Sequence, residues 1–285
     1  MTNYIENFND YFKEIKEIRK SLKEDEVLCF RGASNIDNGA KPGVIWENRV
    51  KEDIAYHSIL LEYPEEFNCK TDHLGTLAKM QHYGLPTRLL DVSGNLLVSL
   101  YFATNSNKYK DGYVQVFKVN KNEILNSNSD KALMLSCLPG FDKKTKDEIQ
   151  SFCESHHGRI KEKDIENNDS MIRFLHEVRG EYPAFECAIV GEHLLNSYFV
   201  RANKSNQRMK VQDGYFIICG LDESRMNDLI RKHLVETLVI KRSGKGDMLN
   251  DLRMMGIHDD TIYPDLERTS LFIRSRKLGW SDLDK

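Results

Sequence analysis

The sequence predicts an α+β fold: a single mixed-sheet domain with an N-terminal helix and a helical insertion. Three observations predict it. Strand-like and helix-like patterns interleave along the chain yet also neighbour one another locally, as in α+β bodies. Between Asn120 and Tyr182 the composition shifts to Lys, Asp, Glu, Asn and Ser with helical spacing, the pattern of a charged helical insertion on the surface. No internal repeat and no low-complexity tract divides the chain.

Each element has its own local reason. Tyr4 to Leu22 places Tyr, Phe and Ile at intervals of three and four between Lys and Glu, an amphipathic helix. Val27 to Phe30 is a short apolar run ended by Arg31-Gly32, a buried strand with a charge at its tip. Ala33 to Gly43 is rich in turn residues and reads as a loop, and Glu47 to Tyr63 is helical again. Leu74 to Tyr83 makes a helix stopped by Gly84, with Pro86 preventing its continuation. Thr87 to Leu90 is strand or turn, and Asn95 can cap a helix from Leu96 to Thr104. Tyr113 to Val119 reads as a strand whose polar positions, Gln115 and Lys118, fit the two-residue period only in part. The insertion carries helices over Lys144 to His157 and Ser170 to Val178. Strands follow at Tyr198 to Arg201, Gly214 to Cys219 and Thr237 to Lys241, then a helix from Lys245 to Met255 and a last strand at Thr261 to Tyr263. The boundaries are therefore 1–24 for the N-terminal helix, 25–268 for the main domain including the 120–182 insertion, and 269–285 for a C-terminal tail.

Composition narrows the function classes. The chain has 285 residues, 40% hydrophobic and 30% charged, enough to bury a substantial core. Lys and Arg number 41 against 44 Asp and Glu, a formal charge of -3, so no global basic field draws in nucleic acid, although a local patch stays open. The N-terminal segment lacks the apolar centre of a signal peptide and no window has the length of a membrane span, so no membrane association and a cytoplasmic location are expected. Six widely spaced cysteines without a CxxC pair read as reduced core thiols.

The densest polar information lies in TLAKMQHYGLPTRLLDVSGNLLVSLYFA, residues 76 to 103. Gln81, His82, Thr87, Arg88, Asp91, Ser93 and Asn95 fall within fifteen positions between two apolar segments, where they must find partners or line a pocket. Arg31 suits a phosphate or carboxylate contact, with Gly32 permitting close approach, or else a structural ion pair. His82, on the last turn of its helix, suits a ligand contact or a C-terminal cap. Arg88 and Asp91 can pair with each other and orient the loop, or meet a ligand. Thr87 offers a hydroxyl that a plain turn could also use. Asn206, Arg208 and Gln212-Asp213-Gly214 form a second polar group before the apolar strand Tyr215 to Ile218. Cys153, His156 and His157 have ligand chemistry but no second pair at zinc-like spacing, so no metal is expected. GxGxxG and Walker patterns are absent.

Phe30-Arg31-Gly32, LAKMQHYGLPTRLLDVSGNLLVSLYFA, NQRMKVQDGYFI and GIHDDTIYPDLE together resemble, in order, the motifs of the FRG domain family, over about residues 25 to 268. Members of that family occur in bacteria and phages. A more distant resemblance is to ADP-ribosyltransferases, with Phe30-Arg31-Gly32 on a first strand, Thr87 leading to a helix that ends at Phe102-Ala103, and Gln212-Asp213-Gly214 before a late strand. This second resemblance implies an ADP-ribosyltransferase-like mixed sheet and NAD as the substrate. Arg31 would then hold the pyrophosphate, and Thr87 and His82 would frame the nicotinamide and its ribose. Gln212 or Asp213 would approach the ribose as the C1′–N bond breaks. Catalytic roles are thus expected for Arg31, His82, Thr87 and Gln212, and ligand binding for Arg31, Gln81, Arg88, Asp91, Asn95 and Arg208. The transferase pattern has Glu where this chain has Gly214, so Asp213 or Asp91 must substitute, or the site binds without turnover.

Three functions follow as expectations. The first is an NAD-consuming transferase or glycohydrolase, serving as a toxin or antiphage effector, with a protein or nucleic-acid acceptor. The second is a non-catalytic module for a nucleotide or another phosphate-bearing small molecule. The third is nucleic-acid binding or processing, which needs a local basic groove.

Overall fold

The computed structural model describes residues 3–35, 40–46, 51–67, 72–156, 158–187, 189–201 and 214–263. In chain order these form β1 (Asn3–Ile5), α1 (Phe8–Lys20), β2 (Glu26–Ala33), α2 (Gly43–Trp46), α3 (Glu52–Glu62), α4 (His73–His82), β3 (Leu89–Ser93), α5 (Leu96–Thr104) and β4 (Gly112–Asn120). Then come β5 (Leu125–Asn126), α6 (Asp130–Cys137), α7 (Lys143–Ser155), β6 (Arg159–Ile160), α8 (Glu162–Ile165), α9 (Asp169–Glu181), β7 (Ile189–Val190) and α10 (Gly191–Leu195). The last described elements are β8 (Tyr198–Arg201), β9 (Gly214–Ile218), α11 (Glu223–His233), β10 (Leu234–Ile240), α12 (Lys245–Met254) and α13 (Asp259–Ile262).

Eight strands form one mixed sheet in the order β1-β10-β4-β2-β3-β9-β8-β5, parallel at the outer β1–β10 and β8–β5 pairs and antiparallel between them. This is the α+β mixed sheet that the interleaved pattern predicts. β4 shows why the period-two pattern was incomplete. Val114 and Val116 pack into one core cluster, Phe117 and Val119 into another, so both faces of this central strand are covered and strict alternation is not required.

One sheet face carries two separate helical packs. Under β1, β10, β4 and β2, the helices α1, α5 and α12 bury Tyr11, Ile15, Val98, Leu100, Tyr101, Met248 and Leu252. Under β3, β9 and β8, the helices α3, α4, α6, α7, α9 and α10 enclose a larger core reached by Leu89, Phe216, Ile218 and Val200 of the sheet. On the opposite face Met226 and Ile230 of α11 cover Cys29, Leu90, Val92, Phe117 and Ile217. The two packs on the first face meet where β2 adjoins β3.

Several expectations need correction. The N-terminal segment does not begin as a helix: Asn3–Ile5 pairs in parallel with β10, and the helix starts only after Asn7, whose side chain accepts from the Asp10 N–H. The 120–182 segment is not a surface insertion. Ala132, Met134, Leu135, Cys137, Leu138, Ile149, Met171, Phe174 and Val178 are all buried, and they form much of the larger core. The charged outer faces of α7 and α9 dominate the composition and hide this inner face. Thr261 to Tyr263 is not a strand either. Asp259–Ile262 is one helical turn, in which Thr261 Oγ1 accepts from the His258 N–H at 2.9 Å and Asp259 and Asp260 sit at the positive end. The helix α11 had no counterpart in the reading of the sequence. By contrast, α4 stops at Gly84 as expected, with a backbone φ of +82° that glycine adopts without strain. Among the described residues no helix is long and apolar enough to cross a membrane.

Candidate ligand cleft between β2 and β3

β2 pairs with β4 along its whole length, from Glu26↔Asn120 to Ala33↔Tyr113, but with β3 only at Phe30↔Ser93. The sheet therefore opens between its two central strands, at the seam of the helical packs. A cleft of about 300 Å³ lies there, walled by Arg31 and Gly32 of β2, Asp91 and Ser93 of β3, Ser99 and Phe102 of α5, Tyr215 and Phe216 of β9, and Tyr263 after α13. Its volume is at the lower end for small-molecule sites. Phe102 and Tyr263 meet edge to face at 6.3 Å, and Tyr215 receives a hydrogen bond on its hydroxyl from Arg201 Nη2 at 2.8 Å.

Arg31 is the cation among the described residues that line this cleft. Its position inside β2, rather than at the tip of a strand, comes from the longer strand that β4 templates. Nη1 bridges the gap to the Asp91 carbonyl at 3.1 Å. Nε is buried without a hydrogen-bond partner, and so is Oε1 of Gln115, the residue directly opposite on β4. Two complementary orphans on facing residues are unusual in a folded interior, where buried polar groups are nearly always paired. Asp91 is exposed on the cleft. Gly32 serves the fold: a Cβ there would lie 1.8 Å from the Ser99 carbonyl oxygen, so the close approach it permits is that of α5.

The other expected site residues are distributed differently. Thr87 is buried, donates its hydroxyl to Gln81 Oε1 and accepts from the Leu89 N–H at 3.1 Å, so Thr87 and Gln81 tie the end of α4 to the start of β3. Arg88 does not pair with Asp91. Its guanidinium is buried and forks onto Glu52, Nε to Oε1 at 2.8 Å and Nη2 to Oε2 at 2.6 Å, while Nη1 donates to the Cys219 carbonyl at 3.0 Å. Lys146 adds a third contact to Glu52 at 2.6 Å. Burial pushes the Glu52 carboxyl up, but the Arg88 and Lys146 charges outweigh it and leave the group below the usual carboxylate range. Asn95 caps α5, its Oδ1 accepting from the Leu97 N–H at 2.9 Å. His82 is half-buried, with its ring edge-on to Tyr83 at 5.0 Å.

Of the expected residues, then, Arg31 and Asp91 share the cleft, whereas Gln81, His82, Thr87, Arg88 and Asn95 do not line it. The single site expected around Arg31, His82 and Thr87 is not what the fold builds. Only Pro86 to Arg88 of the turn into β3 are buried, and there Thr87 and Arg88 spend their hydrogen-bonding capacity on Gln81, the Leu89 N–H, Glu52 and the Cys219 carbonyl. Arg208 and Gln212, with Asn206 and Asp213, lie outside the described residues; Gly214, two positions after Gln212, lines the cleft. Reading the sequence missed Glu52 and Lys146 as partners of Arg88, and Gln115, Ser99 and Tyr263 around Arg31. Only the imperfect alternation at Gln115 was a signal. Cys153, named above for its ligand chemistry, is buried and its thiol is pushed up to about 12 by that burial.

If Asn95 acts as a cap, Asn95→Ala lowers stability by about 1 kcal/mol in urea denaturation and leaves ligand affinity of the cleft unchanged.

The FRG domain family model matches residues 26–112, the stretch from the start of β2 to the first residue of β4 that includes β3 and α5 and therefore supplies most of the cleft wall. No curated protein and no solved structure matches the chain.

Proposed function

Taking residues 26–112 as an FRG domain built around the opening between β2 and β3, we propose that this cleft binds an NAD-like dinucleotide and cleaves it at the C1′–N bond of the nicotinamide ribose. The observation that carries the reading is Arg31: a residue of the cleft wall whose Nε is buried without a partner and whose Nη1 reaches the Asp91 carbonyl, in a cleft that the exposed Asp91 also lines. Arg31 binds the anionic pyrophosphate through charge-assisted hydrogen bonds. The aromatic wall of Phe102, Tyr215 and Tyr263 receives a planar ring. As the C1′–N bond breaks, nicotinamide leaves with the bonding electron pair and positive charge develops on the ribose. Asp91 stabilises that charge, and water or an acceptor oxygen attacks C1′ and gives up its proton. A carboxylate so placed contributes about 10²-fold in rate, roughly 3 kcal/mol. Such a reaction drains a cell of its dinucleotide, the mode of action of a toxin or an antiphage effector.

A second reading is a module that holds a nucleotide or other phosphate-bearing ligand without turnover. It is favoured by one observation, that His82 and Thr87 lie away from the cleft wall and leave the nicotinamide without the groups expected to frame it. Nicotinamide release from NAD by the purified chain separates the two. Asp91→Asn is expected to lower kcat about 10²-fold with KM little changed. Arg31→Ala is expected to weaken NAD binding by about 10-fold or more. Release from the wild type no faster than from Arg31→Ala refutes the enzyme reading. NAD binding by calorimetry that is then lost in Arg31→Ala supports the module instead.

A further inference from the structure

Away from the cleft, the larger core holds a polar cluster drawn from three helix ends. His73 opens α4, Cys137 closes α6 and Glu181 closes α9. Their donor atoms, an imidazole nitrogen, a thiol sulfur and a carboxylate oxygen, all lie within 4.8 Å of one another. His73 and Cys137 are 2% and 1% exposed and the Glu181 side chain 15%, so the cluster is buried at His73 and Cys137 and meets solvent at Glu181.

The geometry within it leaves room for an ion between the three donors. His73 Nε2 and Glu181 Oε2 stand 3.7 Å apart, beyond a hydrogen bond but close to the separation of two donors on one tetrahedral ion. On the other side of the ring Nδ1 meets the Tyr56 hydroxyl at 2.7 Å. With Nδ1–H donating to Tyr56, the lone pair of Nε2 points at the cluster, the outer-shell arrangement that orients a metal-bound imidazole. The His73 N–H donates to Glu181 Oε2 at 2.9 Å and fixes the carboxylate in turn. Charge supplies the third argument. Among the described residues no Lys or Arg pairs with Glu181. A thiolate, a carboxylate and a neutral imidazole together balance one divalent cation.

We propose that His73, Cys137 and Glu181 form a buried site for one divalent transition-metal ion, zinc being the ion this nitrogen, sulfur and oxygen donor set suits. Binding displaces the thiol proton of Cys137, and three protein donors leave the fourth tetrahedral position to a solvent ligand. The ion joins α4, α6 and α9 at one point and acts as a structural staple of the helical layer. The sequence offers no motif for it, because 73, 137 and 181 are far apart in the chain.

The full-length chain, stripped with a chelator and desalted, is titrated with zinc or cobalt. One equivalent of zinc per chain is expected to be retained, with a rise in melting temperature. Cobalt is expected to give the thiolate-to-metal charge-transfer band and the intense d–d absorption of a tetrahedral site. Cys137→Ser is expected to abolish the charge-transfer band, and Glu181→Gln to weaken affinity at least about 10-fold. A folded wild-type chain that shows no thiolate band at saturating cobalt and no thermal gain with zinc overturns the site. So does a band that survives in Cys137→Ser. Because the wild-type spectrum decides by itself, misfolding of a variant leaves the test intact.

Discussion

Arg88→Ala is expected to lower the free energy of unfolding by about 3–5 kcal/mol, measured by urea denaturation, because it removes one partner of a buried ion pair and leaves the other. Glu52 would keep only Lys146, and the Cys219 carbonyl would lose its Nη1 donor. Those contacts join α3, the start of β3, the end of β9 and α7, so the loss reaches both the sheet and the helical layer. A ligand-binding Arg88 would behave otherwise: its removal would cost affinity and leave the denaturation midpoint nearly in place. The pH dependence gives a second signature. The folded Glu52 carboxyl lies below its ordinary value, so its contribution is fully present above the unfolded pKa and fades as pH falls through the folded one. Wild-type stability should therefore drop on acidification below about pH 4, and Glu52→Gln, already destabilised at neutral pH, should show a flatter acid limb.

The second large effect concerns the wall of the cleft. A methyl group at position 32 would meet the Ser99 carbonyl oxygen at 1.8 Å and the carbonyl carbon at 2.7 Å, and both belong to the main chain of α5. Neither can rotate away. Gly32→Ala must push α5 off β2, at a cost of about 3 kcal/mol or more, and it should widen the cleft, which a fall in the affinity of any bound dinucleotide would report. Gly112 makes the same kind of approach, with Ala103 O at 2.3 Å from the added carbon. Gly180 supplies the control. It lies within α9 with nothing inside 4 Å of a built Cβ, so Gly180→Ala should stabilise the protein by about 0.5–1 kcal/mol through helix propensity alone. Destabilisation at 32 together with stabilisation at 180 separates steric contact from the backbone entropy of glycine. Equal effects at the two positions would refute the contact argument.

How much of this was legible beforehand depended on whether the deciding interaction was local. The stop of α4 at Gly84 and the start of α5 after Asn95 are written in adjacent residues, since a left-handed turn and a side-chain cap involve only near neighbours. β1 and the Asp259–Ile262 turn were misjudged for the complementary reason. Asn3–Ile5 becomes a strand because β10 offers it an edge, and Tyr101 holds Asp259 with a 2.6 Å hydrogen bond from α5.

The candidate cleft divides in the same way. That Arg31 lies next to a glycine after an apolar run, and that polar residues crowd positions 81 to 95, can be seen in the chain itself. Which of those groups face a ligand cannot, because Arg88 and Asp91 stand three residues apart and still go to different partners. Arg88 turns into the core toward Glu52, and Asp91 turns out toward the cleft. The sequence by itself determined the alternation of strands and helices, the stop of α4 and the start of α5, and the stretch matched by the FRG domain family model, which carries Arg31. The tertiary structure alone decided that β2 and β3 part after a single pair, that Arg31 faces Gln115, and that His73, Cys137 and Glu181 converge. Hydrogen bonds and charges act over a few ångströms of space, and pairing across the sheet brings together residues that the chain separates by dozens of positions.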